Sequence, residues 1–293
     1  KKDKRFYDND EAINDKLISD ENELSLVREL RNILPKVKIA LDVDNYTHAM
    51  SLLATLRKFV DAFFESSVVL TFAVPKEQLQ QMIPECLELD TFQNKWAFIA
   101  VAMVQTKNLR PKGFPEFMGN NFFLIGYRIF VKYKNKEGKR LRGLHIIKSE
   151  TNKKKMEFFG NIFTHYNYTT TDISLTNNNK SRTIESKKSD FKLVINNTDE
   201  DIELPEDSPF NDWKDARKFA GPLPHTFTYN KNENSVLIIL GVRKNWKPKP
   251  LGIFKYHFSF LDSLKLNGVV LANAFEIKNV PYQWEKGRLE KWK

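Results

Sequence analysis

Arg128 stands in the run Phe122-Phe123-Leu124-Ile125-Gly126-Tyr127-Arg128-Ile129-Phe130-Val131. A guanidinium in so apolar a stretch is costly to bury unless it is paired or holds an anion. Two roles stand open for it: a structural ion pair, or a clamp for a small carboxylate. The densest polar and aromatic cluster is Asn161, Thr164, His165, Tyr166, Asn167 and Tyr168. On a strand, His165, Asn167 and Thr169 face one way and Tyr166 and Tyr168 the other. One set then lines an interior and binds a polar ligand, or the cluster is aromatic cross-strand pairing with a surface histidine. Arg243 precedes Trp246 at a spacing that suits guanidinium stacking on indole. Arg217 is a further cation. His225, after Gly221-Pro222-Leu223-Pro224, reads as a hydrogen-bonded structural residue at a strand start. The five histidines show no HxH or HxxxH spacing, and Cys86 is the only cysteine. No metal site, internal disulfide or cofactor is expected. No GxGxxG, P-loop, HExxH or GxSxG pattern occurs, which removes most support for those chemistries.

These side chains need a scaffold, and the chain is long enough to supply one. Its 293 residues are 41% hydrophobic and 29% charged, which suits a packed core rather than disorder. Aromatics make up 13%, with 23 Phe, a density that favours sheets and lined cavities. Up to Ser67 the apolar spacing is helical: Leu24, Val27, Leu30, Ile33 and Leu34, then a stripe from Tyr46 through Leu53 and Val60 to Phe64, with Asp44 as N-cap. After Ser67 the period changes to two. Strands are predicted at Val68 to Val74, Trp96 to Val104, Phe122 to Tyr133, Leu141 to Ile147, Lys155 to Phe159, His165 to Asp172, Phe191 to Asn196, Pro224 to Tyr229, Ser235 to Val242 and Gly268 to Phe275. Helices are predicted at Lys76 to Met82 and Asn211 to Phe219, and a hairpin turn at Asn135-Lys136-Glu137-Gly138. The expected fold is α+β: a mainly antiparallel curled β-barrel over 68–293, preceded by a helical hairpin over 1–67.

Net charge is +10, unevenly distributed. Lys1 to Ser67 hold 11 basic and 13 acidic residues, a balance of −2; the remaining 36 basic and 24 acidic residues carry +12. The excess is scattered over loops such as Lys132 to Arg142, with no dense basic helix, so charge alone names no partner. No apolar run approaches the ~20 residues of a membrane helix. No apolar leader follows Lys1-Lys2-Asp3-Lys4-Arg5, and a cytoplasmic protein without a membrane partner is the expectation. Oligomeric state is not readable from these features.

Two resemblances add to this reading. The stretch Asn45 to Val69, with Glu21 to Leu30 as the preceding helix, resembles the C-terminal anticodon-binding helices of the bacterial glycyl-tRNA synthetase beta subunit. The chain turns into strand sequence where that module continues in helix, so the likeness is to a truncated module. The remainder resembles an uncharacterised conserved bacterial family of the acetoacetate-decarboxylase-like superfamily. The matching stretches include Val68 to Phe92, Gly126 to Tyr133, Arg142 to Met156, Gly160 to Tyr168, Asp212 to Tyr229, Gly241 to Leu251 and Asn279 to Trp284. That resemblance implies a curled β-barrel around a small-molecule cavity. The superfamily's decarboxylases use a Schiff-base lysine, whose pKa must fall toward neutrality. Lys148, at the end of Leu144-His145-Ile146-Ile147, is the nearest counterpart, with Lys153 to Lys155 as a source of a second positive charge. Where the decarboxylase signature has two adjacent lysines, Ser149 and Glu150 follow here, and a neighbouring Glu150 raises a lysine pKa.

Three functions follow as expectations. The first is a barrel that binds or transforms a small carboxylate or keto acid through Lys148, Arg128, Glu150, Asn161, His165, Tyr166, Tyr168, Arg243 and Trp246. The second is a tRNA-associated protein, and the third a non-catalytic structural fusion. The discriminator between them is whether Lys148, Arg128 and the His165 strand converge on one pocket. For nucleic acid, the −2 balance of the first segment leaves only scattered lysines to meet phosphate. In a filter-binding titration, tRNA should bind weakly and with steep salt dependence; tight, salt-resistant, isoacceptor-selective binding would reverse that expectation.

Overall fold

The computed structural model describes residues 60–292 except 112–118, 165, 198–200, 222, 245 and 286, together with Lys36. The two helical faces expected before residue 60 lie outside the described residues. The change of period falls earlier than expected: β1 runs over Val60–Pro75, so residues 60–67 are strand and not the end of a helix. The spacing of Val60, Phe63 and Phe64 fits a helical face, but pairing decides the matter. This segment bonds to β14 (Val270–Trp284) on one side and to β3 (Trp96–Pro111) on the other. Two ladders satisfy both edges of its backbone, which outweighs local preference.

Around β1 lies an eleven-stranded, mainly antiparallel sheet. From β3 the order continues through β4 (Asn120–Lys134), β5 (Arg140–Thr151), β10 (His225–Asn230) and β11 (Ser235–Arg243). The β4–β5 hairpin turns where predicted, at Asn135 to Gly138; Gly138 has φ +79°, and Asn135 Oδ1 accepts from the Lys139 N–H at 2.8 Å. Then β11 pairs with β14 through Gly241 to Arg243, so the pairing path returns to the strand beside β1. Short strands β2 (Glu88–Leu89), β6 (Tyr168–Thr170), β12 (Lys249–Pro250) and β15 (Arg288–Lys291) join β4, β5, β14 and β11 respectively.

Each long strand alternates between two faces. One face carries Val68, Leu70, Phe72 and Val74 of β1, Ile99, Val101 and Met103 of β3, and Ile125, Tyr127 and Ile129 of β4, all nearly inaccessible. A second, four-stranded sheet packs there: β7 (Ser174–Asn177), β8 (Ser181–Ser186), β9 (Phe191–Asn196) and β13 (Ile253–Phe258), in the order β13-β9-β8-β7. Ile184, Phe191, Leu193, Ile195 and Phe258 join the same core. Of this sheet only β9 is legible in the sequence, because β7 is exposed at every position and lacks apolar alternation. The opposite face carries Ala73, Phe98, Ala100, Phe130 and Leu144, covered in part by α3 (Trp213–Ala220). Asp212 caps α3 by accepting from the Asp215 N–H at 2.7 Å, and Ala216 and Ala220 are its buried stripe.

The predicted strand Lys155 to Phe159 is instead part of helix α2 (Lys154–Thr164). Phe158 suggests a strand, yet it is exposed, while Met156 and Gly160, four apart, meet the core and the Tyr168 ring. The strand predicted over His165 to Asp172 shrinks to the three residues of β6. Two further short helices lie in the region from residue 60 onward, α1 (Lys76–Gln80), shorter than predicted, and α4 (Ser259–Ser263).

Polar ties lock these layers. Asp90 is buried between Lys132 (2.9 Å) and Arg142 (2.6 Å), and Arg142 also donates to the Phe219 carbonyl at the end of α3. Glu276 of β14 accepts from Ser66 at 2.6 Å and from Arg182 of the small sheet at 2.7 Å. Burial pushes the Glu276 carboxyl up, but Arg182, Ser66 and Lys278 outweigh it and hold it below the usual carboxylate range. A carboxyl depressed in the folded state stabilises above its unfolded pKa and loses that contribution as pH falls through its folded value. Glu276→Gln should therefore destabilise at neutral pH, with the gap to the parent narrowing below about pH 4, near the unfolded glutamate value. Urea melts at several pH values would read this; a gap that does not change with pH would refute it.

Candidate functional site

The face that carries Phe98 and Phe130 also encloses a cavity of about 80 Å³, lined by residues of all seven strands in the returning path. Among its walls are Phe64 and Val69 of β1, Leu124 of β4, Ile146 of β5, Thr226 of β10 and Ile277 of β14. Into this largely apolar space project Arg128, Arg243, Tyr166, Tyr168 and Tyr282, with Trp246 and Trp284 as aromatic walls.

Arg128 is the most demanding of them. Its Nε is buried without a hydrogen-bond partner, and among the described residues no carboxylate pairs with it. Burial pulls the guanidinium below its ordinary pKa, and the Arg243 cation pulls the same way. Arginine does not deprotonate in proteins, so the cost persists as a demand for negative charge. Its position depends on Gly126: a β-carbon there would lie 2.9 Å from Arg128 Nε. Arg243 is placed by the Leu223 carbonyl, to which it donates at 3.3 Å, and by two rings, Trp246 at 4.6 Å and Tyr282 at 5.5 Å. The stacking read from the Arg243–Trp246 spacing is therefore present.

The tyrosines are fixed from behind. Tyr166 shares a hydrogen bond with Thr226, and burial pushes its phenol well up. Tyr168 is pushed up to about 12, again chiefly by burial, with Arg128 opposing. Both remain neutral donors at ordinary pH. Asn161 of α2 grips the Tyr168 backbone twice, donating to its carbonyl at 2.9 Å and accepting from its N–H at 2.6 Å. Asn161, expected to touch ligand, thus acts as a support of β6. Tyr282 stacks on Phe64 at 4.3 Å and meets Trp284 edge-on at 4.5 Å. It and Trp284 were not singled out in the sequence, since β14 was expected to stop at Phe275. The signal available was the alternation of Val280, Tyr282 and Trp284.

Lys148 does not join this group. Alternation along β5 from Leu144 and Ile146, which face the cavity, would put Lys148 there too. Instead the register slips: Arg128 pairs with Ile146 but Tyr127 with Lys148, leaving Ile147 as an extra residue. A one-residue slip exchanges the faces of everything beyond it. Ser149 then reaches the cavity, and Lys148 lies on the opposite face, 3.0 Å from Glu150 and 4.7 Å from the Phe260 ring. Glu150 is buried beside it and not in the cavity. Lys153 to Lys155 are exposed at the start of α2. His165 lies outside the described residues. His225 accepts the structural role expected of it, with Nδ1 at 3.1 Å from the Arg142 carbonyl.

Elsewhere, Ser259 Oγ stands 3.1 Å from His257 Nε2, and His257 Nδ1 3.3 Å from Asp262. This has the outline of a nucleophilic triad, but the Ser259 hydroxyl donates to Asp190 and the group is exposed, away from the cavity. Among the described residues no three His, Cys, Asp or Glu are arranged to hold a metal ion, and no helix is long and apolar enough to cross a membrane.

The fold is similar to that of acetoacetate decarboxylase from Legionella pneumophila, with a TM-score of 0.56 and 11% identity over 79% of this chain and 86% of that one. It is also similar to an acetoacetate-decarboxylase-like enzyme from Sphingomonas wittichii, with a TM-score of 0.51 and 9% identity over 80% and 93% of the two chains. By sequence, residues 62–287 match DUF2071, described as an uncharacterized conserved protein, and the chain belongs to that family. A 59-residue stretch is 41% identical to the glycine–tRNA ligase beta subunit of Shewanella halifaxensis, covering 20% of this chain and 9% of that subunit.

The cavity geometry is testable without a ligand. A β-carbon at Gly241 would lie 2.0 Å from the Tyr282 hydroxyl, and that ring is wedged against Phe64 and Trp284. Gly241→Ala should cost ~1–3 kcal/mol by overpacking and change tryptophan emission as Tyr282 leaves Trp284. A variant with the parent's melting midpoint and emission would show that the ring is not so confined.

Proposed function

We propose that the cavity binds a small carboxylate, a keto acid in the first instance, with Arg128 taking the carboxylate. The observation that carries this reading is a buried guanidinium with a free Nε and no acidic partner among the described residues, beside a second cation, Arg243. A carboxylate bound in fork geometry would supply both the missing charge and the missing acceptor. The hydroxyls of Tyr166, Tyr168 and Tyr282 are donors for a second oxygen such as a keto group, and the apolar walls strengthen each of these contacts by excluding water. A volume of about 80 Å³ suits an acid of a few heavy atoms. Acetoacetate, the keto acid in the name of the Legionella enzyme, is a sensible first ligand.

On this reading the chain is a binder, or an enzyme that does not use Lys148 as an amine nucleophile. The Ile147 slip turns that side chain away from the carboxylate site and into a pair with Glu150. Ser149 takes the place in the cavity that alternation assigns to the lysine.

Calorimetric titration with acetoacetate and pyruvate tests the assignment. Arg128→Met should weaken binding by ~1.5–3 kcal/mol, the worth of a charge-assisted hydrogen bond. Lys148→Ala should leave affinity unchanged, and borohydride with either acid should add no covalent mass at Lys148. Unchanged affinity in Arg128→Met would remove the clamp; a borohydride adduct lost in Lys148→Ala would restore the Schiff-base lysine.

A further inference from the structure

A second space of about 140 Å³ lies between α3 and the β12–β14 pair. It shares one wall with the inner cavity, Trp246. The two spaces follow one another along β14: Asn273 and Phe275 line the outer one and Ile277 the inner one, two residues apart on the same face. The outer walls are flat, made by Trp213, Trp246, Phe275, Pro248 and Pro250, with the Arg217 side chain at the α3 side. Flat apolar walls of this kind favour a planar ring.

The floor adds a specific polar requirement. Asn273 is 1% exposed, lines the space, and its Oδ1 has no hydrogen-bond partner. Its cross-strand neighbour Thr71 is 0% exposed, and its hydroxyl is likewise without a partner. Two adjacent buried polar groups left unpaired are rare in a folded chain and need a cause. The amide oxygen requires a donor, and the hydroxyl can give or accept.

We propose that the outer space receives the tail of the same acid whose carboxylate Arg128 holds, and that the tail is an aromatic ring bearing an O–H or N–H donor for Asn273. Trp246 stands between head and tail, and turning its indole aside joins the two spaces. The preferred ligands are then aryl keto acids with a polar ring substituent rather than the smallest keto acids. The inference rests on the carboxylate reading of the inner cavity, and its test separates the two.

The experiment is calorimetric titration of the full chain with pyruvate, phenylpyruvate and 4-hydroxyphenylpyruvate, repeated with Asn273→Leu. The hydroxylated acid should bind the parent about tenfold more tightly than phenylpyruvate, as expected for one buried hydrogen bond, and both should exceed pyruvate. Asn273→Leu should erase the advantage of the hydroxyl and leave pyruvate affinity unchanged. Its melting midpoint should match or exceed the parent's, since an unpaired buried group is gone. If Asn273→Leu does not fold, the comparison of the two aryl acids on the parent decides. Pyruvate binding that depends on Arg128, with no gain from either aryl acid or no gain from the ring hydroxyl, overturns this inference and spares the inner site. Failure of every acid, with Arg128→Met silent, overturns both.

Discussion

A positive charge enclosed by a sheet, with no negative charge to meet it among the described residues, is the constraint around which this structure is organised. Removing a guanidinium from water is expensive, and an unpaired one more so. The chain nevertheless places Arg128 on the cavity face of a central strand, brings Arg243 toward it, and surrounds both with tyrosine phenols. The stability of such an arrangement must come from elsewhere, and the opposite face of the sheet supplies it, with a nearly dry core shared with the small sheet.

The surrounding architecture keeps that charge in place. Gly126 leaves space for the Arg128 side chain to fold back over the strand, and Gly241 leaves space for the Tyr282 hydroxyl. Asn161 fixes the β6 backbone that carries Tyr168, while Thr226 fixes Tyr166. Polar ties outside the cavity hold the layers that build it: Asp90 joins β4 and β5 through Lys132 and Arg142, and Glu276 joins β14 to β8 through Arg182. In these ties the acids have cations. Among the described residues, the two arginines that line the cavity face no acid there.

Much of the scaffold was legible because strands with one buried face repeat every two residues. Val68 to Val74, Trp96 to Val104 and Phe122 to Tyr133 announce themselves this way, as does the β4–β5 turn through Asn135 and Gly138. Arg128 was legible too, since a charge within an apolar alternating run violates the pattern around it. Asn161 was legible as a polar residue but not as a backbone support, because its partner, the Tyr168 main chain, has no sequence signature. The segment 60–67 and the helix at Lys154–Thr164 were misread where tertiary pairing and packing override short-range preference.

What the sequence by itself determined is the type of fold and the presence of one anomalous cation: both follow from local periodicity, which a strand writes directly into residue order. What only the tertiary structure decided is which side chains share the cavity. Lys148 and Arg128 are both site candidates in the sequence, Lys148 tempered by the neighbouring Glu150. The extra residue at Ile147, visible only in the pairing of β4 with β5, exchanges the faces and leaves Ser149 inside and Lys148 outside. Tyr282 and Trp246 arrive from more than a hundred residues away, brought by the return of β11 onto β14. Register and the pairing of β11 with β14 depend on how strands meet, and no single strand carries that information.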